Sequence, residues 1–180
     1  MPELIERGYL YIAQPPLYQA KRGDKAVYLK DDRALEEYLV GNVISDAVFT
    51  SGVGAQHSGA DLTAMVEQAR QARGWLQPLI RKAGSRRAVE QAAIAGALNP
   101  SVLSDEARSA EAANYVAQRL DLLTTELERG WAGHAHPEGG LVFTRTLRGV
   151  TQRHEITADM IRSAEARRLD GLAAAFQEFY

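Results

Sequence analysis

The feature that most constrains the fold is a short apolar run near the N-terminus, YLYIA at residues 9–13. Because every position in it is apolar, the run is typical of a strand buried on both faces, as in a parallel sheet. Residues 3–7 have the pattern of the last turns of a helix, and Gly8 follows at a C-cap position. A helix that leads into a buried strand is the second half of a βαβ unit. We therefore expect the first half of that unit to lie outside this chain.

The composition is that of an ordinary globular protein, and it excludes several kinds of site. The 180 residues suffice for one domain or two small ones. The absence of cysteine excludes disulfides, thiolate metal sites and cysteine nucleophiles, and it fits a cytoplasmic protein. The acidic start is unlike a secretory signal, and no apolar run is long enough to cross a bilayer. Since the net charge is −2, any attraction to DNA must come from a local patch.

A hairpin is predicted directly after the apolar run. Residues 15–16 are both proline and end the strand, because proline cannot donate to a sheet ladder. Apolar runs at residues 17–20 and 26–29 then flank a polar stretch whose turn falls at Gly23 and Asp24.

A helix and a short strand should follow the hairpin. Asp31 or Asp32 is a good N-cap for the helix, and Gly41 weakens its later part. Residues 47–50 have the pattern of a short strand, and residues 51–59 are rich in Gly and Ser and predict a loop.

The middle of the chain is helical in pattern. Apolar residues recur at helical spacing from Asp61, with Gly74 and Pro78 predicting a kink or break. Ser85 should begin a second helix over residues 86–98.

In the last third of the chain, the spacing of apolar residues changes from that of a helix to that of a strand and back. Residues 105–129 predict the clearest helix, with Gly130 as its cap. One or two further helices are expected over residues 157–180. Between these two helical regions, a strand-like spacing of apolar residues and glycine-containing turns predict an antiparallel meander. Its three strands are expected at residues 131–136, 141–147 and 150–156. The sequence therefore indicates an α+β fold.

Two stretches carry a resemblance to a known family. Residues 1–18 read MPELIERGYLYIAQPPLY, and residues 27–32 read VYLKDD. Both resemble the later part of the Toprim domain in the B subunits of type IIA topoisomerases, a feature that gyrase and topoisomerase IV share. Residues 42–180 resemble the insertion inside the Toprim domain of Gram-negative gyrase B subunits, which topoisomerase IV lacks. The ending, from residue 148 onward, looks like alphaproteobacterial gyrases in particular.

The resemblance implies a division of the chain and a role for each part. Residues 1–40 would be a partial Toprim segment, and residues 41–180 the insertion, a mainly helical body with a small antiparallel sheet. The parent would be an ATP-dependent type II topoisomerase that acts with the A subunit of DNA gyrase on DNA and uses magnesium and ATP. The family's acidic magnesium ligands, an EGDSA-type glutamate and a DxDxD cluster, have no match in this sequence. The resemblance therefore implies a structural piece that braces the DNA gate and has no active site.

Two basic clusters are the candidate DNA contacts. The denser one surrounds the junction of the two predicted middle helices, and Arg70 and Arg73 lie near it in the sequence. Glu67 and Glu90 could neutralise part of its positive charge. It could bind phosphates, or it could be an ordinary solvated helix face. The members of the two clusters are Arg81, Lys82, Arg86 and Arg87 at the junction, and Lys21, Arg22 and Lys25 on the hairpin.

The other candidate sites have simpler structural interpretations. Asp31 and Asp32 could bind a metal ion, but adjacent acids at a helix start more often cap the helix. His134 and His136 lie two apart on a predicted strand, and only with His57 and His154 could they form a zinc site. The glycines at residues 52–54 lack the Gly-Lys-Ser/Thr of a phosphate loop, and no spacing suggests a Ser-His-Asp triad.

Two alternatives to the gyrase interpretation remain at this point. The chain could be a stand-alone interaction module, or a metal-dependent hydrolase that uses the histidines. A further expectation concerns residues 9–13, which have no partner strand in this chain. They should either mediate dimerisation or strand swapping, or pack against the helices of the insertion.

Overall fold

The computed structural model describes residues 2–52 and 54–179, and for residues 178–179 only the backbone. Helices and small antiparallel sheets alternate along these residues, so the predicted α+β class is confirmed. Met1, Val53 of the predicted glycine loop and Tyr180 of the last predicted helix lie outside the described residues. Among the described helices, none has the length and hydropathy that crossing a membrane requires.

The N-terminal helix is confirmed, but the strand predicted after it is wrong. Helix α1 (Pro2–Glu6) ends at Gly8, whose positive φ of 68° suits a glycine at a helix C-terminus. Residues 9–16 then form no strand, and the apolar side chains among them are exposed. The reason is that a strand exists only when another strand accepts its backbone hydrogen bonds. The described residues provide no such partner for this segment. The expected packing of the segment onto the helices is also absent.

The hairpin and the next helix form as predicted. Strands β1 (Tyr18–Arg22) and β2 (Lys25–Leu29) are antiparallel, and Gly23 in their turn has φ 60°. Helix α2 (Asp32–Ile44) begins after Asp31, whose carboxylate accepts the Ala34 N–H at 2.8 Å. Helix α2 continues through the glycine that was expected to weaken it.

A second hairpin replaces part of the predicted loop. Strand β3 (Val48–Thr50) confirms the short strand, and it pairs with β4 (Gln56–Ser58) inside the stretch predicted to be unstructured. Ser51 closes the turn between them, since its hydroxyl accepts the Ala55 N–H at 3.1 Å. This side-chain bond stabilises the turn and was not visible in the composition.

The two middle helices are joined by a short turn at residues 84–85. Helix α3 (Gly59–Ala83) is unbroken at the predicted break, and Pro78 lies inside it. Helix α4 (Arg86–Ile94) has the expected cap, the Ser85 hydroxyl, which accepts the Ala88 N–H at 3.3 Å. It ends before the predicted residue 98, because Gly96 takes a left-handed conformation with φ 70° and stops the helix.

The following helix is also shorter than predicted. After a 3-10 turn, α5 (Glu106–Leu122) ends well before residue 129. The Asp121 carboxylate accepts the backbone N–H groups of Gly130 and Trp131, at 3.0 and 3.1 Å. These bonds turn the chain back towards the sheet. As a consequence Leu127, which lies within the predicted helix, is 92% exposed.

The three-stranded sheet confirms the predicted meander. Its strands, β5 (Ala132–Ala135), β6 (Gly140–Leu147) and β7 (Val150–Thr157), are antiparallel in the order β5-β6-β7. Strand β5 lies directly against the backbone of α5 at Gly133. A Cβ atom at this glycine would lie 2.0 Å from the carbonyl oxygen of Ala113. A close backbone approach of this kind permits only glycine.

The chain closes with three short helices rather than one or two, and these complete the core. They are α6 (Ala158–Ile161), α7 (Ala164–Asp170) and α8 (Ala173–Phe179), and the Ser163 hydroxyl caps α7. The cluster of buried residues extends from Ala72 to Leu169 and includes side chains of α3, α4, α5, the sheet and α7.

Candidate nucleic-acid interface

The junction cluster lies at the corner between α3 and α4. Arg81 and Lys82 occupy the last turn of α3, and Arg86 and Arg87 the first turn of α4. Gly84 between them has φ 68°, a left-handed conformation that turns the chain sharply from one helix into the next. All four basic side chains are exposed. The fold therefore concentrates four cationic groups within a seven-residue corner.

Acidic neighbours neutralise only part of this charge. Arg86 pairs with Glu90 at 3.2 Å, one turn along α4. Among the described residues, no carboxylate lies within salt-bridge distance of Arg81, Lys82 or Arg87. These three groups are the ones available to an external anion.

The two arginines that the sequence placed near this cluster belong to a different set of contacts. Arg70 pairs with Glu67 at 3.7 Å and with Glu36 of α2 at 3.4 Å. Arg73 lies 3.9 Å from the same Glu36. Their charge helps to hold α2 against α3, so they add little to a DNA-binding surface.

Two contacts that the sequence did not predict lie beside α3. The Arg168 guanidinium of α7 lies 5.6 Å from the centre of the Trp75 ring, a cation–π distance. His154 of β7 lies next to the corner, because a Cβ atom at Gly84 would be 3.8 Å from its Nδ1. No local pattern could have indicated either contact, since both depend on how distant elements pack.

The hairpin cluster lies at the tip of the β1–β2 hairpin. Lys21 and Arg22 end β1, and Lys25 begins β2. All three are exposed, and the described residues place no acidic group within 4.0 Å of them. This second set of cations is equally accessible to phosphate.

The four histidines are distributed over separate contacts. His57 Nδ1 lies 2.5 Å from the Asp61 carboxylate, and the His154 ring lies 5.8 Å from that of Trp131. His134 on β5 is exposed, and His136 just beyond it lies near β7. In the part of the chain that the structure describes, no three His, Asp or Glu side chains are grouped as metal ligands would be.

An ion-pair chain occupies the solvent face of the sheet. Arg153 Nε donates to the Glu155 carboxylate at 2.6 Å, and His136 Nε2 lies 3.5 Å from the same carboxylate. The hydrogen bond from Arg153, followed by the charges of Arg153 and His136, keeps the pKa of Glu155 below its ordinary value despite some burial. The Glu155 carboxylate is thus already paired with Arg153 and His136.

The two adjacent aspartates have structural partners. Asp31 caps α2, as the helix-capping interpretation predicted. Asp32 accepts a hydrogen bond from the Tyr18 hydroxyl, which raises the pKa of Tyr18 and ties β1 to the start of α2. Gly52 and Gly54 lie in the β3–β4 turn and not between a strand and a helix.

Known proteins that resemble this chain include B subunits of DNA gyrase and of a type 2 topoisomerase. No family model matches the chain. It is 39% identical to the DNA gyrase B subunit of Caulobacter vibrioides over 180 residues, which is the whole chain and 21% of that protein. It is 33% identical to the DNA gyrase B subunit of Rickettsia bellii over 178 residues, which is 96% of the chain and 21% of that protein. A shorter stretch of 43 residues is 51% identical to the type 2 topoisomerase B subunit of Aquifex aeolicus.

The extent of these matches decides what they show. The chain spans about a fifth of the length of the gyrase B subunits that it matches from end to end. Identity at this level along the whole chain indicates common ancestry and confirms the resemblance to gyrase B subunits. We conclude that the chain is homologous throughout to a segment of the DNA gyrase B subunit.

Proposed function

We propose that the chain functions as part of a gyrase B subunit, in a cytoplasmic, ATP-dependent type II topoisomerase that introduces negative supercoils into DNA together with the gyrase A subunit. The observation that carries this proposal is the similarity to gyrase B subunits over the entire chain. Residues 1–40 would contribute to the Toprim domain, and residues 41–180 would form the insertion.

Within that parent, we assign this piece a structural role at the DNA gate. Its buried core joins helices and sheet into one body, as a brace requires. The parent's magnesium and ATP would be held by other parts of the protein. In support, the described acidic residues include no cluster suited to a divalent cation, and Asp31 and Asp32 already bind Ala34 and Tyr18. We derive no chemical step through either cofactor.

The brace would touch DNA through the corner between α3 and α4. Arg81, Lys82 and Arg87 are exposed and lack an acidic partner among the described residues, so their charge is available to backbone phosphates. Contacts of this kind are independent of base sequence and weaken with salt, because each one releases condensed counterions.

Titration of DNA binding against salt tests this proposal. The purified chain is expected to bind duplex DNA at low salt, and changing Arg81, Lys82, Arg86 and Arg87 to Ala should abolish most of the affinity. The slope of log affinity against log salt should fall by about 0.9 for each phosphate that is no longer bound. A matched control changes four ion-paired cations elsewhere to Ala: Arg33, Arg70, Arg108 and Arg153.

The control separates a specific surface from general charge. If both quadruple variants lose affinity equally, binding depends only on net charge, and the corner is an ordinary solvated surface. If the unmodified chain does not bind DNA at low salt, the piece is a brace that faces protein. Changing Lys21, Arg22 and Lys25 to Ala measures the hairpin cluster in the same assay.

A second candidate, a protein-interaction module, is favoured by one observation. The part of the chain before residue 59 exposes many large apolar side chains, including Tyr11 and Ile12 at 86% and 87%. Exposed apolar patches of this kind mark interaction sites. We propose that residues 9–13 mediate self-association of the isolated chain.

A further inference from the structure

A two-stranded ribbon projects from the three-stranded sheet. Strand β5 pairs with β6 only as far as Thr144, which lies opposite Ala132. Beyond that pair, residues 145–152, here called the ribbon, pair with one another and, among the described residues, with no third strand. Three strand residues at about 3.4 Å each carry the turn of the ribbon roughly 10 Å past the end of β5. The ribbon therefore stands out from the packed part of the chain.

The turn at the tip of the ribbon holds an arginine in an unfavourable backbone conformation. Arg148 has φ 50° and Gly149 has φ 81°, as in the type I′ turns that join two strands through two residues. Asn, Asp or Gly is preferred at the first of these positions, because a left-handed conformation crowds other side chains. Among the described residues, Arg148 is the only one besides glycine with a positive φ. Strain of this kind is concentrated at functional positions.

The charge and polarity of the ribbon suit a polyanion. The ribbon contains two arginines and no acidic residue. Within the described parts of the chain, no carboxylate lies within 4.0 Å of Arg145 or Arg148. The exposed hydroxyls of Thr146 and Thr151 lie 3.0 Å apart across the two strands. Arginine side chains and hydroxyl groups are the donors that proteins present to DNA.

Arg145 fixes the root of the ribbon. Its Nη1 donates to the Glu128 carbonyl oxygen at 2.7 Å, and its Nε and Nη2 donate to Gln152 Oε1 at 3.2 and 2.7 Å. The same guanidinium lies 4.6 Å from the centre of the Trp131 ring, a cation–π distance. Arg145 is therefore a positioning residue, which sets the direction in which the ribbon carries Arg148.

A path of contacts leads from the root of the ribbon to the corner between α3 and α4. The Trp131 ring that packs against Arg145 also lies 5.8 Å from the His154 ring. His154 in turn adjoins the corner, where a Cβ atom at Gly84 would lie 3.8 Å from its Nδ1. The ribbon thus begins close to the proposed phosphate contacts of the corner.

We propose that the ribbon is a second DNA contact, which enters the major groove of the duplex whose phosphates the corner binds. The inference rests on the proposed DNA contact at the corner and adds the element that occupies the groove. The major groove is about 12 Å wide and about 8.5 Å deep and admits a two-stranded ribbon. Arg148 at the tip reaches the floor of the groove, where guanine O6 and N7 accept hydrogen bonds from arginine.

Replacing Arg148 by Asn separates the charge at the tip from the stability of the turn. Because Asn is preferred in this conformation, Arg148→Asn should keep or raise the urea midpoint of unfolding. The same variant should bind duplex DNA about tenfold more weakly at low salt, the loss expected for one arginine–base contact. The matched control is Arg108→Asn, which also removes one exposed arginine but at the start of α5, where it pairs with Asp105. The control should leave the affinity nearly unchanged.

A modified duplex tests whether the tip lies in the major groove. Guanines whose N7 is replaced by carbon lose an acceptor on the floor of that groove, while the phosphates are unaltered. The unmodified chain should bind this duplex more weakly than an ordinary duplex of the same sequence, whereas Arg148→Asn should bind both alike. Equal binding of the unmodified chain to the two duplexes would overturn the insertion of the ribbon into the groove.

The outcomes separate this inference from the proposed contact at the corner. If the quadruple corner variant loses affinity and Arg148→Asn does not, the chain binds DNA without the ribbon, and only the ribbon contact is overturned. If Arg148→Asn loses affinity and the corner variant does not, the ribbon contact is supported and the corner contact is overturned. If the unmodified chain does not bind duplex DNA at low salt, both are overturned.

Discussion

Two parts of this chain with similar apolar content differ sharply in burial. From residue 59 onward, apolar side chains of helices and sheet form one cluster of buried residues between Ala72 and Leu169. Of the described residues before residue 59, only Leu29 and Ser51 are buried. The difference shows that apolarity sets a tendency to bury, whereas burial itself requires a partner within reach. The second part supplies its own partners, and the first part leaves its apolar side chains for another surface.

The largest expected contrast comes from making the same substitution in each part. Leu141 is fully buried on β6, so Leu141→Ala should lower the free energy of unfolding by about 2–5 kcal/mol. Leu17, at 67% exposed, should tolerate the change to Ala within about 0.5 kcal/mol. Urea denaturation followed by circular dichroism measures both. Equal losses would mean that the two parts share one core.

Removing a helix cap in each part tests whether the parts unfold together. Ser85→Ala should lower the free energy of global unfolding by about 1 kcal/mol, since α4 belongs to the buried cluster. Asp31→Ala removes an equivalent cap from α2. Its effect should appear as faster amide hydrogen exchange within α2, with the unfolding midpoint of the core unchanged. A matching shift of the midpoint in both variants would show that α2 unfolds with the core.

The smallest expected effect is a pH dependence on the sheet of the second part. The pKa of Glu155 is lowered in the folded state, so its stabilising contribution is present above the ordinary glutamate pKa. That contribution is lost as the pH falls through the lower, folded pKa. Glu155→Gln should therefore be less stable than the unmodified chain at neutral pH, and the difference should vanish in acid.

Unfolding free energies measured from neutral pH to about pH 3 detect this change. Arg153→Gln serves as the control, because it removes the main cause of the lowered pKa and should remove most of the pH-dependent difference. A stability difference that persists unchanged in acid would show that the ion pair is not its source.

Local signals in the sequence predicted the elements well. The turn at Gly23 and the caps at Asp31 and Ser85 fall where expected, because turn and cap preferences act over a few residues. The antiparallel sheet was predicted for the same reason, from its period and its glycine turns.

What the sequence could not predict depended on contacts between distant residues. Helix α5 ends early because the Asp121 carboxylate binds the backbone at Gly130 and Trp131. The basic clusters were identified, yet the pairing of Arg70 with Glu36 and of Arg168 with Trp75 required the packing of α3 against α2 and α7. The unbroken apolar run alone also suggested a strand at residues 9–13, where the missing element was its partner.

The contact at Gly133 has a mechanical consequence. At this point the backbone of β5 lies against the backbone of α5, with no side chain between them. Elsewhere in a protein interior, a small relative displacement can be absorbed when side chains change rotamer. Here no rotamer is available to absorb a displacement, so we expect α5 and β5 to move together where their backbones touch.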